Sequence, residues 1–182
     1  MRKRLGLFCL ALVLTACAMP VHRTSGQFVP GTSLAAEPKV VILAITDGQE
    51  RGQDATVGSG GAMVNAIRDR LMGRGIPVQS VQVAELEAGY AEAERLGFNY
   101  VLRGAFTNWE DNATAWSGNP DRAELALELY AVADRRLAAT ASHTVQASGA
   151  TLLSSTPMRF IPELADSTLG RIFSWPATAA AK

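Results

Sequence analysis

Hydrophobic positions along the chain change period several times, and each change marks an element. KVVILAIT (39–46) is an unbroken, β-branched apolar run closed by Asp47-Gly48, which predicts a buried strand. A polar stretch then gives way to helical spacing. Ser59 is its candidate N-cap, Val64, Ile67 and Leu71 share one face, and Gly73 and Gly75 stop it. IPVQSVQV (76–83) predicts a second strand. In AELEAGYAEAERLG (84–97), Leu86, Tyr90, Ala93 and Leu96 or Gly97 recur every three to four residues, which predicts a second helix with Gly97 at its exit. NYVLRGAFTNWE (99–110) is a third strand. RAELALELYAV (122–132) alternates, with Leu125, Leu127 and Leu129 on one face and Glu124, Glu128 and Tyr130 on the other. LAATASHTVQAS (137–148) is a fifth strand, and Pro162 opens a last helix through Ile172-Phe173. The order β-α-β-α-β-β-β-α predicts an α/β (α+β) fold. Two crossovers set a parallel part, a meander adds antiparallel strands, and the helices lie mainly on one face of the mixed sheet.

The first residues have a different logic. Arg2, Lys3 and Arg4 precede a ten-residue apolar run, Leu5 to Leu14, which is too short to span ~30 Å of hydrocarbon but fits a signal-peptide core. It ends in LTAC (14–17), which resembles the processing site of bacterial lipoproteins. That resemblance implies cleavage after residue 16 and lipid on Cys17. Ala18, in place of an aspartate, then implies the outer membrane, facing the periplasm. Residues 18–38 mix Pro, Gly, Ser and Thr without a period and read as a flexible tether of 21 residues, with a reach on the order of 25 Å. Residues 39–175 make one globular domain and 176–182 a disordered tail.

Composition narrows the function classes. Cleavage removes three of 17 basic residues and none of 17 acidic ones, leaving a formal −3, so nothing points to nucleic acid. Of two cysteines, Cys9 leaves with the signal and Cys17 takes the lipid, which excludes a disulfide or a cysteine metal site. The acyl chains on Cys17 anchor the protein in the bilayer, and no other cofactor is expected.

NWEDNATAWSGNPDR (108–122) joins strands three and four by a loop longer than a tight hairpin. Trp109 and Trp116 beside Glu110, Asp111, Asp121 and Arg122 suit a protein-docking surface. Core packing of one or both tryptophans against the sheet is the plainer reading, and a sugar platform the third. Three consecutive oxygen side chains, Glu110 to Asn112, lack the alternate spacing of a calcium loop. GSGG (58–61) lacks the ending of a phosphate loop and reads as a glycine-rich helix start. His22 falls in the tether and His143 in a strand, so a single histidine in the folded part excludes a multi-histidine metal site. Ser142 and His143 point to opposite strand faces and cannot pair as nucleophile and base. Glu85, Glu87, Glu92 and Glu94 spread around a helix as a solvated face.

GSGGAMVNAIRDRL and LGFNYVLRGAFTNWEDNATAWSGNPDRAELALELY resemble a family of small Gram-negative lipoproteins, a domain of unknown function with a WED-x-A-T-x-WSG-x-PDR signature. The match runs over roughly residues 38–174. More distantly, the element order resembles the curli-secretion lipoprotein, the N-terminal domain of the Tol-Pal periplasmic protein and lipoprotein activators of cell-wall synthases. The resemblance implies that Trp109, Glu110, Asp111, Trp116, Ser117, Gly118, Pro120, Asp121 and Arg122 act as a unit. Asp121 and Arg122 lie where the loop returns to the sheet, and an Arg–carboxylate pair there is expected to close it. The resemblance also implies a non-catalytic, outer-membrane-anchored adaptor that binds an envelope protein or itself. Peptidoglycan or another envelope glycan is the alternative ligand. The hairpin tip is too short and too charged for a membrane pore.

Overall fold

The computed structural model describes residues 21–112, 119–147 and 156–176. Its six strands lie in the order β1-β6-β5-β4-β2-β3. They are β1 (Val21–Phe28), β2 (Val40–Ile42), β3 (Val78–Ser80), β4 (Tyr100–Glu110), β5 (Arg122–Ala131) and β6 (Arg136–Gln146). The helices are α1 (Ser59–Gly73), α2 (Leu86–Leu96) and α3 (Ile161–Ile172), the last entered through a 3₁₀ turn at Pro157–Phe160. β3, β2 and β4 are parallel, as two crossovers require, and β4, β5, β6 and β1 are antiparallel.

The α+β class and the mixed sheet agree with the sequence pattern, with one added strand at the start. Val21–Phe28 lies within the stretch read as a tether, yet it pairs with β6 over eight positions, from Val21 opposite Gln146 to Phe28 opposite Ala139. α3 holds it from the side: the Arg171 Nε and Nη2 groups donate to the Gly26 carbonyl at 3.1 and 2.9 Å. A Cβ on Gly26 would stand 2.7 Å from both Arg171 Cγ and the Thr140 carbonyl oxygen, so this close approach requires glycine. The connection to β2 also stays on the domain, since Ala35 N–H donates to the Tyr100 hydroxyl and Asn99 bonds both Lys39 N–H and the Glu37 carbonyl.

Two helices cover one face and one covers the other. Met63, Ile67 and Leu71 of α1 and Leu164, Leu169 and Ile172 of α3 pack on Leu102, Leu125, Leu127 and Leu129, and Arg70 joins Asp166 across the two helices at 2.7 Å. On the opposite face α2 sets Tyr90 and Ala93 on Val41, Leu43 and Val101. α2 packs mainly on the parallel end of the sheet and meets β5 near that strand's last residues, where Tyr90 stands edge-on to Tyr130. The outer face of β1, β6 and β5 therefore shows small and polar side chains, among them Ser25, Thr140, Ser142 and Ala126. Glu87 and Glu94 pair with Arg135, and Glu92 with Arg95, all on the solvated side of α2 as expected.

Candidate functional site

The β2–α1 connection organises a broad concavity among the described residues. It leaves the carboxyl end of β2, where open α/β sheets place ligands, and folds over the outer face of β4 and β5. Between them lies a trough of about 990 Å³ with Gly104, Ala105 and Ala126 in its lining and Arg51 exposed along it. Arg103 and Glu128 stand in the same lining. The Arg103 Nε and Nη2 groups lie 2.8 and 2.6 Å from Glu128 Oε2, and the guanidinium sits over the Tyr130 ring at 5.7 Å. The Tyr130 hydroxyl donates to the same carboxylate at 3.0 Å. Burial first, and then that bond to Glu128, pushes the Tyr130 phenol up from its ordinary value.

Asp47 fixes the connection. Its carboxylate accepts from Gly60 N–H at 2.7 Å and Gly58 N–H at 3.0 Å, while Ser59 Oγ takes the Gly48 N–H at 2.8 Å. The amides that a phosphate would need at the start of α1 are thus occupied by an internal carboxylate. Ser59 is the first helical residue and not the N-cap, which is Gly58 at φ 86°. The Gly60 and then the Gly58 amide hold the Asp47 carboxyl below the usual range. A lowered folded-state pKa contributes stability that is complete above the unfolded value, near ~3.9, and is lost as pH falls through the folded one. Asp47→Ala is expected to destabilise by about 1–2 kcal/mol at neutral pH. In urea titrations its deficit against the parent should shrink below about pH 4.

The residues expected in the docking loop divide. Trp109 is corrected from partner-binding to core: it is 3% exposed, meets Phe106 edge-on at 4.7 Å and donates from Nε1 to Thr56 Oγ1 at 2.9 Å. A bulge turns it inward. Phe106 opposes Leu125 and Asn108 opposes Glu124, so Thr107 is the extra residue and Trp109 joins the core face beside Ala123. A two-tryptophan sugar platform loses one ring. Trp116, Ser117 and Gly118 lie outside the described residues, as does Cys17.

Asp121 closes the loop, with a different arginine from the one expected. It is 7% exposed, accepts from Asn112 N–H at 3.1 Å through Oδ1, and pairs with Arg159 Nη2 at 3.0 Å through Oδ2. Arg122 instead opposes Glu110 in the ladder, and its buried Nε has no hydrogen-bond partner among the described residues. Asp111 N–H donates to Glu50 Oε2 at 3.2 Å, and its own buried Oδ1 is likewise unpartnered. Burial pushes the Asp111 carboxyl up, the carboxylates of Asp121 and Glu50 add to this, and Arg159 opposes it. Glu110 accepts from Asn108 Nδ2 at 2.9 Å. Glu50, Asp111 and Asp121 therefore form an acidic cluster with one arginine at the loop's base.

The histidine reading is overturned. With residues 21–28 in the sheet, His22 and His143 meet at Glu163 of α3. His22 Nδ1 lies 2.5 Å and His143 Nε2 3.0 Å from the same oxygen, Oε1. These are residues that can hold a metal, with donor atoms all within 4.8 Å of one another. A histidine, a histidine and a glutamate up to 141 positions apart leave no spacing signature. Ser142 and His143 do point apart: Ser142 Oγ bonds Ser25 Oγ at 2.8 Å on the outer face, while His143 is buried.

No family model matches the chain, and no curated protein does. Solved structures do. PelC from Paraburkholderia phytofirmans, a dodecamer, is similar over 85% of this chain and 97% of its own, with a TM-score of 0.60 and 20% identity. The two share a fold. The lipoprotein GNA1162 from Neisseria meningitidis is similar over 75% of this chain and 99% of its own, with a TM-score of 0.52 and 10% identity. Among the described residues, no helix is long and apolar enough to cross a membrane.

Proposed function

We propose that this chain is an outer-membrane-anchored lipoprotein that acts as a non-catalytic assembly adaptor of the cell envelope. It associates through protein contacts, with further copies of itself first among its partners. The observation that carries the reading is the trough on the part of the sheet that no helix among the described residues covers. Small residues on its outer-face lining, Ala105 and Ala126, let another polypeptide approach the strands closely, and Arg103 with Glu128 gives that approach a polar register. The lipobox at Cys17 supports the anchor. The fold shared with a dodecameric protein and with a lipoprotein supports the class.

Photo-crosslinking in the native envelope tests this. A photoreactive residue at Arg51, exposed beside the trough, is expected to give protein adducts, either multimers of the chain or one dominant second protein. Adducts on glycan fragments in place of protein would assign the trough to peptidoglycan. A silent Arg51 would remove the trough as a docking face.

A further inference from the structure

We propose that His22, His143 and Glu163 bind a divalent transition-metal ion of the zinc type. Each ligand comes from a different element, β1, β6 and α3, and all three donor atoms converge on one point. An ion with bonds of ~2.0–2.1 Å in tetrahedral geometry holds its ligand atoms ~3.3 Å apart. Here the two imidazole nitrogens stand 2.5 and 3.0 Å from Glu163 Oε1, and no pair of donors exceeds 4.8 Å. Adjustments on the order of an ångström, within the freedom of the half-exposed His22 and Glu163 side chains, open the triangle around an ion.

The surroundings suit a ligand set. His143 is 3% exposed, so its ring is fixed by packing, and its other nitrogen, Nδ1, lies 2.6 Å from Thr24 Oγ1. If Nδ1 carries the proton and donates to that hydroxyl, the Nε2 lone pair faces the ion. This is how metal-binding histidines are oriented by a neighbour. Thr24 sits two residues beyond His22 on the same face of β1 and directly opposite His143 in the ladder. One short edge strand thus supplies both a ligand and the group that orients the second ligand. His22 and Glu163 are 45% and 40% exposed at their side chains, which gives the ion an entry path and leaves a fourth position for water. Two histidines and one carboxylate suit zinc and its neighbours and do not suit calcium or magnesium. The bound ion would fasten the first strand to the last helix.

The test uses the full-length protein in detergent, without a polyhistidine tag, stripped by chelator and titrated with zinc by calorimetry and with cobalt by visible absorption. The expected result is one saturable equivalent per chain, a visible cobalt band of low coordination number and a melting temperature that rises with zinc. Glu163→Gln and His22→Gln are each expected to weaken binding by more than about tenfold, and Thr24→Val by about tenfold. Glu87→Gln, a carboxylate on the far side of the sheet, should change nothing. His143 is too buried for its variant to be decisive, so the test rests on the two exposed ligands. No saturable binding, or binding that His22→Gln and Glu163→Gln leave intact, would overturn the site and reduce the cluster to a hydrogen-bonded triad.

Discussion

Trp109→Ala is expected to destabilise the protein by about 3–5 kcal/mol, measured by urea denaturation followed by circular dichroism. The indole is the largest side chain at the end of the core under the β2–α1 connection, and its loss removes both the buried ring and the bond to Thr56. The ring lies directly on Gly48, where a Cβ would stand 2.3 Å from Trp109 Cδ2 and 2.5 Å from Cε3. Gly48→Ala should therefore be costly in the parent and nearly neutral in Trp109→Ala, where the space is vacant. A double-mutant cycle should return a coupling of about 1–3 kcal/mol. Additive effects would mean that the tryptophan does not rest on that glycine. An unchanged stability in Trp109→Ala would return the ring to the surface and to a docking role.

Gly60→Ala should be the most damaging of the helix-α1 glycine substitutions. A Cβ there would fall 2.0 Å from the Ile45 carbonyl oxygen, 2.9 Å from its carbon and 3.1 Å from the Thr46 carbon. These are backbone atoms of the β2–α1 connection, three to four residues beyond β2, so no side chain can turn away, and α1 itself must move off the connection. The higher helix propensity of alanine, about 1 kcal/mol, acts in the other direction and is too small to win. A loss of about 3 kcal/mol is expected, at the upper end for overpacking, because the Asp47 bond to Gly60 N–H is disturbed as well. The neighbouring Gly61 has nothing within 4 Å of its added Cβ, so Gly61→Ala should stabilise by about 0.4–1 kcal/mol. Opposite signs at adjacent glycines, read in the same urea titrations, would establish that close approach to the backbone of residues 45 and 46 sets the position of α1. Two similar small changes would not.

The helices and the central strands were legible because burial imposes a period on them. Leu125, Leu127 and Leu129 are buried while Glu124, Glu128 and Tyr130 are not, as their alternation says. Strand β1 was not legible, since VHRTSGQF is mostly exposed and joins the sheet through backbone bonds that leave no mark on side-chain type. The inward turn of Trp109 depends on one inserted residue in β4, and a bulge reverses every face beyond it without altering the local composition. The arginine that meets Asp121 lies 38 residues along the chain, where nothing distinguishes Arg159 from the adjacent Arg122 as a partner. The histidine cluster failed for the same reason as β1, because placing His22 in a tether removed it from the folded part.

The register of β1 also limits how far the domain can travel. With lipid on Cys17, as proposed, only residues 18–20 separate the acylated residue from Val21, where pairing with Gln146 begins. Four peptide links span at most ~14 Å, well short of the ~25 Å expected for a 21-residue coil. The starting end of β1 is then held close to the headgroup layer, at one height and with one end of the sheet facing the lipid. Copies on the same leaflet would share that height and polarity before they touch. If copies assemble as proposed, their encounter would become a search in two dimensions among nearly aligned bodies, and much of the orientational entropy of assembly would be lost at the anchoring step instead of at the contact.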